Sequence, residues 1–126
     1  MSNNWEMVIG LEVHAQLKTT SKLFSSSPNL FGSEPNENVN FIDSGMPGML
    51  PVLNWACIEK AIKTGFALNF TINKHSVFER KNYFYPDLPQ GYQISQFEFP
   101  ILREGYLDID QPDGSTKKIR IERAHL

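Results

Sequence analysis

One cysteine, Cys57, is all that this chain has, so an internal disulfide and a cysteine-cluster zinc site are both excluded. Its place in an amphipathic run suits a small buried hydrophobe, and the scarcity of thiols suits a reducing compartment. Net charge is small as well. Twelve Lys and Arg against fourteen Asp and Glu leave a formal charge of −2, no field to hold a polyanion, since affinity for RNA is built on clustered cations that release counterions. No hydrophobic run approaches the roughly 20 residues that span a bilayer, and Met1 to Trp5 lacks the basic start and apolar stretch of a secretory signal, so a cytoplasmic protein without a membrane partner is expected. Neither G-x-x-x-x-G-K-[ST] nor a strand-borne G-x-G-x-x-G occurs, so nucleotide binding cannot be read from a short motif. There is no internal repeat and no low-complexity tract.

What remains is one domain's worth of ordinary globular sequence, 126 residues with 40% hydrophobic and 21% charged. Odd positions from Met7 to Leu17 are apolar while Glu12, His14, Gln16 and Lys18 fall on even ones, a period of two that predicts a strand with one buried face. Thr19 to Asn40, rich in Ser, Asn, Pro and Gly, reads as an irregular connection held to the core by Leu23, Phe24, Leu30 and Phe31. Trp55, Ile58, Ala61, Ile62, Gly65 and Phe66 recur at helical spacing behind Asn54, an N-cap residue, which predicts a helix over 55–68. Val77 to Tyr85 is aromatic and β-prone. Tyr106–Asp110 and Lys117–Arg123 flank Gln-Pro-Asp-Gly and predict a hairpin, with Asp108 and Asp110 facing Lys118 and Arg120. The fold class is α+β, an antiparallel or mixed sheet with one principal helix.

The densest chemistry lies in Glu79 to Gln96, which gathers four aromatics, two prolines, Gly91, two basic residues, two carboxylates and the uncharged polar groups Gln93, Ser95 and Gln96. Pro86 and Pro89 fix two φ angles, so an ordered, non-helical excursion between Tyr85 and Tyr92 is expected, either a buried aromatic plug or a rigid loop presenting a site. Glu12 and His14, two apart on a strand, project from one face about 7 Å from each other, as two solvated side chains do or as ligands of one ion do. Ser25, Ser26 and Ser27 have no lysine or histidine at a spacing diagnostic of a nucleophile.

GLEVHAQL at Gly10 to Leu17, SGMPGMLPVLN at Ser44 to Asn54, the Glu79 to Gln96 stretch and RIERAHL at Arg120 to Leu126 together resemble, in order and spacing, the B subunit of the bacterial and organellar aspartyl/glutamyl-tRNA amidotransferases. The resemblance covers essentially the whole chain. It implies a ligase requiring ATP and Mg²⁺ that phosphorylates the side-chain carboxyl of Glu-tRNA(Gln) or Asp-tRNA(Asn). Ammonia from a partner amidase subunit then displaces phosphate, within a heterotrimer that includes a small third subunit. Glu12 and His14 fall at the metal positions, although Mg²⁺ prefers oxygen ligands and makes the carboxylate the more natural donor. Arg80, Tyr85 and Gln96 become candidates for ATP contact. Lys81, Tyr83, Gln93 and Ser95 become candidates for orienting the reacting groups, by positioned cations and hydrogen-bond donors more than by a protein nucleophile. In the resembled family acidic residues follow the His-Leu of His125 and Leu126, so residues 1–126 are expected to be the amino-terminal part of a catalytic domain cut inside its own motif. Glu12 and His14 should open on a cavity lined by the Tyr83 to Gln96 loop. A noncatalytic scaffold that docks the amidase around Gly45 to Pro51, and a module binding the tRNA acceptor end, are the rival readings.

Overall fold

A computed structural model describes residues 4–126. The one helix among them, α1 (Trp55–Ala67), starts where Asn54 leaves helical geometry and turns its side-chain oxygen to the N–H of Ala56, 3.0 Å away. That satisfies one of the donors a helix leaves free at its start. The same amide group donates to Ser21 and Lys22 carbonyls, fastening the helix start to the preceding loop. Asn69 ends the helix in the left-handed region at φ 54. Phe70 N–H reaches Gly65 O at 2.8 Å and Asn69 N–H reaches Phe66 O at 3.4 Å, the paired bonds of a Schellman cap. The helix is shorter than a membrane span requires, and no described helix is long and apolar enough for one.

Strand β1 (Thr71–Ile72) follows directly, then β2 (Glu79–Asn82), β3 (Tyr92–Ser95), β4 (Leu102–Asp110) and β5 (Thr116–Ala124). They form two antiparallel sheets, β1-β4-β5 and β2-β3, so the class is α+β as expected. The helix lies on the three-stranded sheet around Ala61, Phe70, Ile101 and Leu102, with Ile58, Ile62, Leu68, Ile72, Ile121 and Ala124 closing the cluster. Two glycines permit the close approach. A Cβ on Gly65 would lie 2.5 Å from Ile72 Cδ1, and one on Gly105 would lie 2.6 Å from the Phe70 ring.

The β4–β5 hairpin sits where Tyr106–Asp110 and Lys117–Arg123 predict it, but β4 begins four residues earlier, at Leu102. Lys118 faces Asp108 at 3.5 Å and lies over the Tyr106 ring. Arg120 stands opposite Tyr106 and Asp110 opposite Thr116, so only one of the two expected charge pairs forms.

The expectation for residues 7–17 is corrected. They belong to no sheet, and Met7, Ile9, Leu11 and Val13 are 84, 73, 90 and 85% exposed. Alternation encodes a face to bury, but a strand exists only through a ladder to a neighbour, and none of the described strands pairs with it. Leu30 and Phe31 likewise stand in solvent at 65 and 100% exposure, while Leu23 and Phe24 do tuck in, Phe24 meeting Phe78 edge to face at 5.2 Å.

Candidate functional site

The polar, aromatic stretch singled out in the sequence is a hairpin. Strands β2 and β3 pair Glu79 with Ser95, Arg80 with Ile94, Lys81 with Gln93 and Asn82 with Tyr92. Tyr83 N–H donates to Gly91 O at 3.0 Å and Leu88 N–H to Tyr85 O at 3.0 Å, which closes the connecting loop into an ordered, non-helical turn. Gly91 stands at φ 70, a left-handed conformation that glycine adopts without penalty. Side chains alternate across a strand, so the pairing sorts the candidate residues by face. Lys81, Gln93 and Ser95 share one, with Lys81 directly opposite Gln93. Arg80 takes the other, its guanidinium 4.9 Å from the centre of the Tyr92 ring. There it joins Phe24, Pro51, Leu53, Phe78, Glu79 and Ile94 around a largely apolar cavity of about 190 Å³.

Tyr83 and Tyr85 are exposed in the loop, and the Lys81 ammonium lies 5.9 Å from the centre of the Tyr83 ring. Gln96 goes elsewhere. It is buried, 1% exposed, and its Oε1 accepts a hydrogen bond from the Leu126 N–H at 3.2 Å. The hairpin thus brings together Lys81, Gln93 and Ser95, and separates them from Arg80 and from Gln96.

Glu12 and His14 do stand side by side, Nε2 to Oε1 3.4 Å, but both are in solvent, with side chains 82 and 87% exposed. Neither lines the cavity beside Arg80 or the one beside Phe97, so the expected opening onto the 83–96 loop is not seen. No group of three His, Cys, Asp or Glu side chains that could hold a metal is found among the described residues. One carboxylate and one imidazole are therefore an incomplete set for Mg²⁺, which demands an oxygen-rich octahedral shell.

A second polar cluster was not anticipated from the sequence. Asp43 receives Lys22 Nζ at 3.1 Å, Ser25 Oγ at 3.0 Å, Ser27 Oγ at 2.5 Å and the Asn40 N–H at 3.0 Å. Ser25 and Ser27 are buried, and burial alone would raise the Asp43 carboxyl. The four donors, Ser27 foremost, outweigh it and hold the group below its ordinary 3.8. The serines thus have a lysine nearby after all, joined to it through a carboxylate. Both hydroxyls donate to an ionised group that is a poor base, which makes the cluster a knot tying the 20–43 loop and not a nucleophile. The signal for it was a lone Asp eighteen residues beyond Ser25, visible only once the loop closes.

A mixed α+β scaffold presenting polar groups on a rigid hairpin is a frame for ligand chemistry. Comparison with known proteins gives the family to which this scaffold belongs. Residues 7–126 match the family of the GatB/GatE catalytic domain. Curated relatives include the B subunit of the aspartyl/glutamyl-tRNA(Asn/Gln) amidotransferase from Rickettsia typhi, 58% identical over 99% of this chain and 26% of the relative. Those of Dinoroseobacter shibae and Caulobacter vibrioides are each 59% identical, over 98 and 99% of this chain and 24 and 25% of their own lengths. The chain belongs to the GatB/GatE catalytic domain family. It spans about a quarter of the length of these relatives.

Proposed function

We propose that the chain is part of the catalytic domain of a tRNA-dependent amidotransferase that converts Glu-tRNA(Gln) or Asp-tRNA(Asn) to the amide-bearing form. The reading is carried by family membership over 7–126, and the β2–β3 hairpin supports it. Bound ATP and Mg²⁺ would supply the phosphoryl group and neutralise its charge. The side-chain carboxylate gains the phosphoryl group, ammonia attacks the acyl carbon, and phosphate departs as the nitrogen loses a proton. Ammonia would be delivered by an amidase subunit of a cytoplasmic heterotrimer whose third subunit is small.

The residues here suit the electrostatic part of this work. Lys81 places a cation opposite the amide of Gln93, with the Ser95 hydroxyl on the same face, a set able to orient an oxyanion by hydrogen bonds. Arg80, lying over Tyr92, offers a guanidinium beside the cavity it lines with Glu79 for a phosphate, while Tyr85 is exposed for contact with the nucleotide. Glu12 and His14 would contribute two ligands to the metal, and Gln96 serves from the interior by fixing Leu126.

The test uses the full-length subunit in its complex. Lys81→Met should lower acyl-phosphate formation by about 10² or more, and Glu12→Gln likewise, with tRNA-independent glutaminase activity unchanged. Normal acyl-phosphate formation by both variants would reject the reading. The scaffold alternative draws on the exposed apolar run Met46, Met49, Leu50 and Val52. It predicts instead that both variants are silent and that changes at Leu50 weaken subunit co-elution.

A further inference from the structure

The β4–β5 hairpin breaks its alternation at one level on both strands. Core-facing positions are Leu102 and Gly105 on β4 and Ala124 and Ile121 on β5, three apart on each strand and paired across it. Regular strands turn successive residues to opposite faces, so the two residues between such positions require a break. On β4 Glu104 makes it, at φ 57. Arg103, Glu104, Glu122 and Arg123 consequently line a single outer cavity of about 210 Å³, with Phe97 and Pro100.

Arg103 stands directly opposite Arg123. Like charges so placed destabilise a sheet, and a non-glycine residue in the left-handed region adds strain. Neither arginine is ion-paired among the described residues. Both are nevertheless positioned. Arg103 Nη2 donates to the Glu98 carbonyl, Arg123 Nη1 donates to the Phe97 carbonyl at 3.5 Å, and the Arg123 guanidinium lies 4.4 Å from the centre of the Phe97 ring. Carbonyls and a ring orient these cations. Glu104 and Glu122 line the same cavity from the next backbone level, one residue rise or about 3.3 Å along the hairpin.

The ligand that complements this arrangement carries a carboxylate and an ammonium a few bonds apart. A phosphate alone would meet two carboxylates, and a basic peptide two guanidiniums. In a glutamyl or aspartyl ester the α-carboxyl is uncharged, and the side-chain carboxylate lies four or three bonds from the α-ammonium. We propose that Arg103 and Arg123 receive the side-chain carboxylate, and Glu104 and Glu122 the α-ammonium, of the aminoacyl end of the misacylated tRNA. The proposal rests on the function proposed above and assigns it the residues that specify the amino acid. Conversion of the carboxylate to an amide removes the partner of the arginine pair, so the site also releases product.

Competition by small esters tests it in the full-length complex. L-glutamic acid α-methyl ester should compete with misacylated tRNA about tenfold better than glutamine methyl ester, which lacks the carboxylate, or monomethyl glutarate, which lacks the ammonium. Arg123→Gln should abolish the first preference and Glu122→Gln the second, each raising KM about tenfold with a smaller change in kcat and an unchanged thermal midpoint. Variants that weaken all three compounds equally, or inorganic phosphate competing as well as the α-methyl ester, would overturn the assignment. Calorimetric titration of the esters, read without turnover, separates the two proposals. Discriminating binding by a complex that amidates nothing keeps this site and rejects the function, whereas amidation without discrimination does the reverse.

Discussion

Asp43 gathers four hydrogen-bond donors on one carboxylate, from Lys22, Ser25, Ser27 and Asn40. Because those bonds hold its carboxyl below the ordinary value, the stability it contributes is complete above the unfolded-chain pKa and is lost as pH falls through the lowered folded one. Asp43→Asn should cost about 2–3 kcal/mol at neutral pH. Urea unfolding at pH 7 and again near pH 3 should show the gap between variant and wild type shrinking in acid, and a gap independent of pH would contradict the account. Asn54 invites a subtler substitution. Asn54→Ala should cost about 1–2 kcal/mol as a lost cap. Asn54→Asp keeps the acceptor for the Ala56 N–H but turns an oxygen toward the carbonyls of Ser21 and Lys22, so it should not restore wild-type stability in the same unfolding experiment.

Among the elements, those defined by near neighbours were legible. The helix was expected over 55–68 behind Asn54 and runs Trp55–Ala67 with that cap, because its period and its cap both lie within one local window. The β4–β5 hairpin was legible from its turn residues, whose Gly114 sits at φ 80. What was missed depends on distant partners. The start of β4 at Leu102 follows from pairing with Ala124 and β1, not from its own sequence. The alternation of residues 7–17 promised a strand that no described neighbour completes. Of the candidate site, the hairpin made Lys81, Gln93 and Ser95 neighbours. That Arg80 faces away from Lys81 follows from alternation once 79–82 is a strand, whereas the enclosure of Gln96 depends on its contact with Leu126, distant in the chain. Packing between α1, β1 and β4 gives the element-scale prediction. Gly105→Ala presses a methyl group on the rigid, buried Phe70 ring and should destabilise by about 2 kcal/mol. Gly65→Ala meets only the ends of Ile72 and Leu102, and gains about 1 kcal/mol of helix propensity, so thermal melting should show the smaller loss there.

For the molecule as a whole, the helix and three-stranded sheet close one small core, while β2–β3 and the segment from Trp5 to Leu17 stand outside it. A row of near-fully exposed Met7, Ile9, Leu11 and Val13 on unpaired backbone is more than a missing strand. It offers free amide and carbonyl groups together with an apolar face, the two ingredients that let chains of one kind template each other. The 126-residue chain by itself should therefore behave as a colloid near its solubility limit. Light scattering should rise steeply with protein concentration, and the melting midpoint should shift with concentration as well. Ile9→Lys, which puts a charge in the middle of the row, should suppress both effects while leaving the helix signal in circular dichroism intact. Scattering that is unchanged by that charge would mean that contact between chains is made elsewhere.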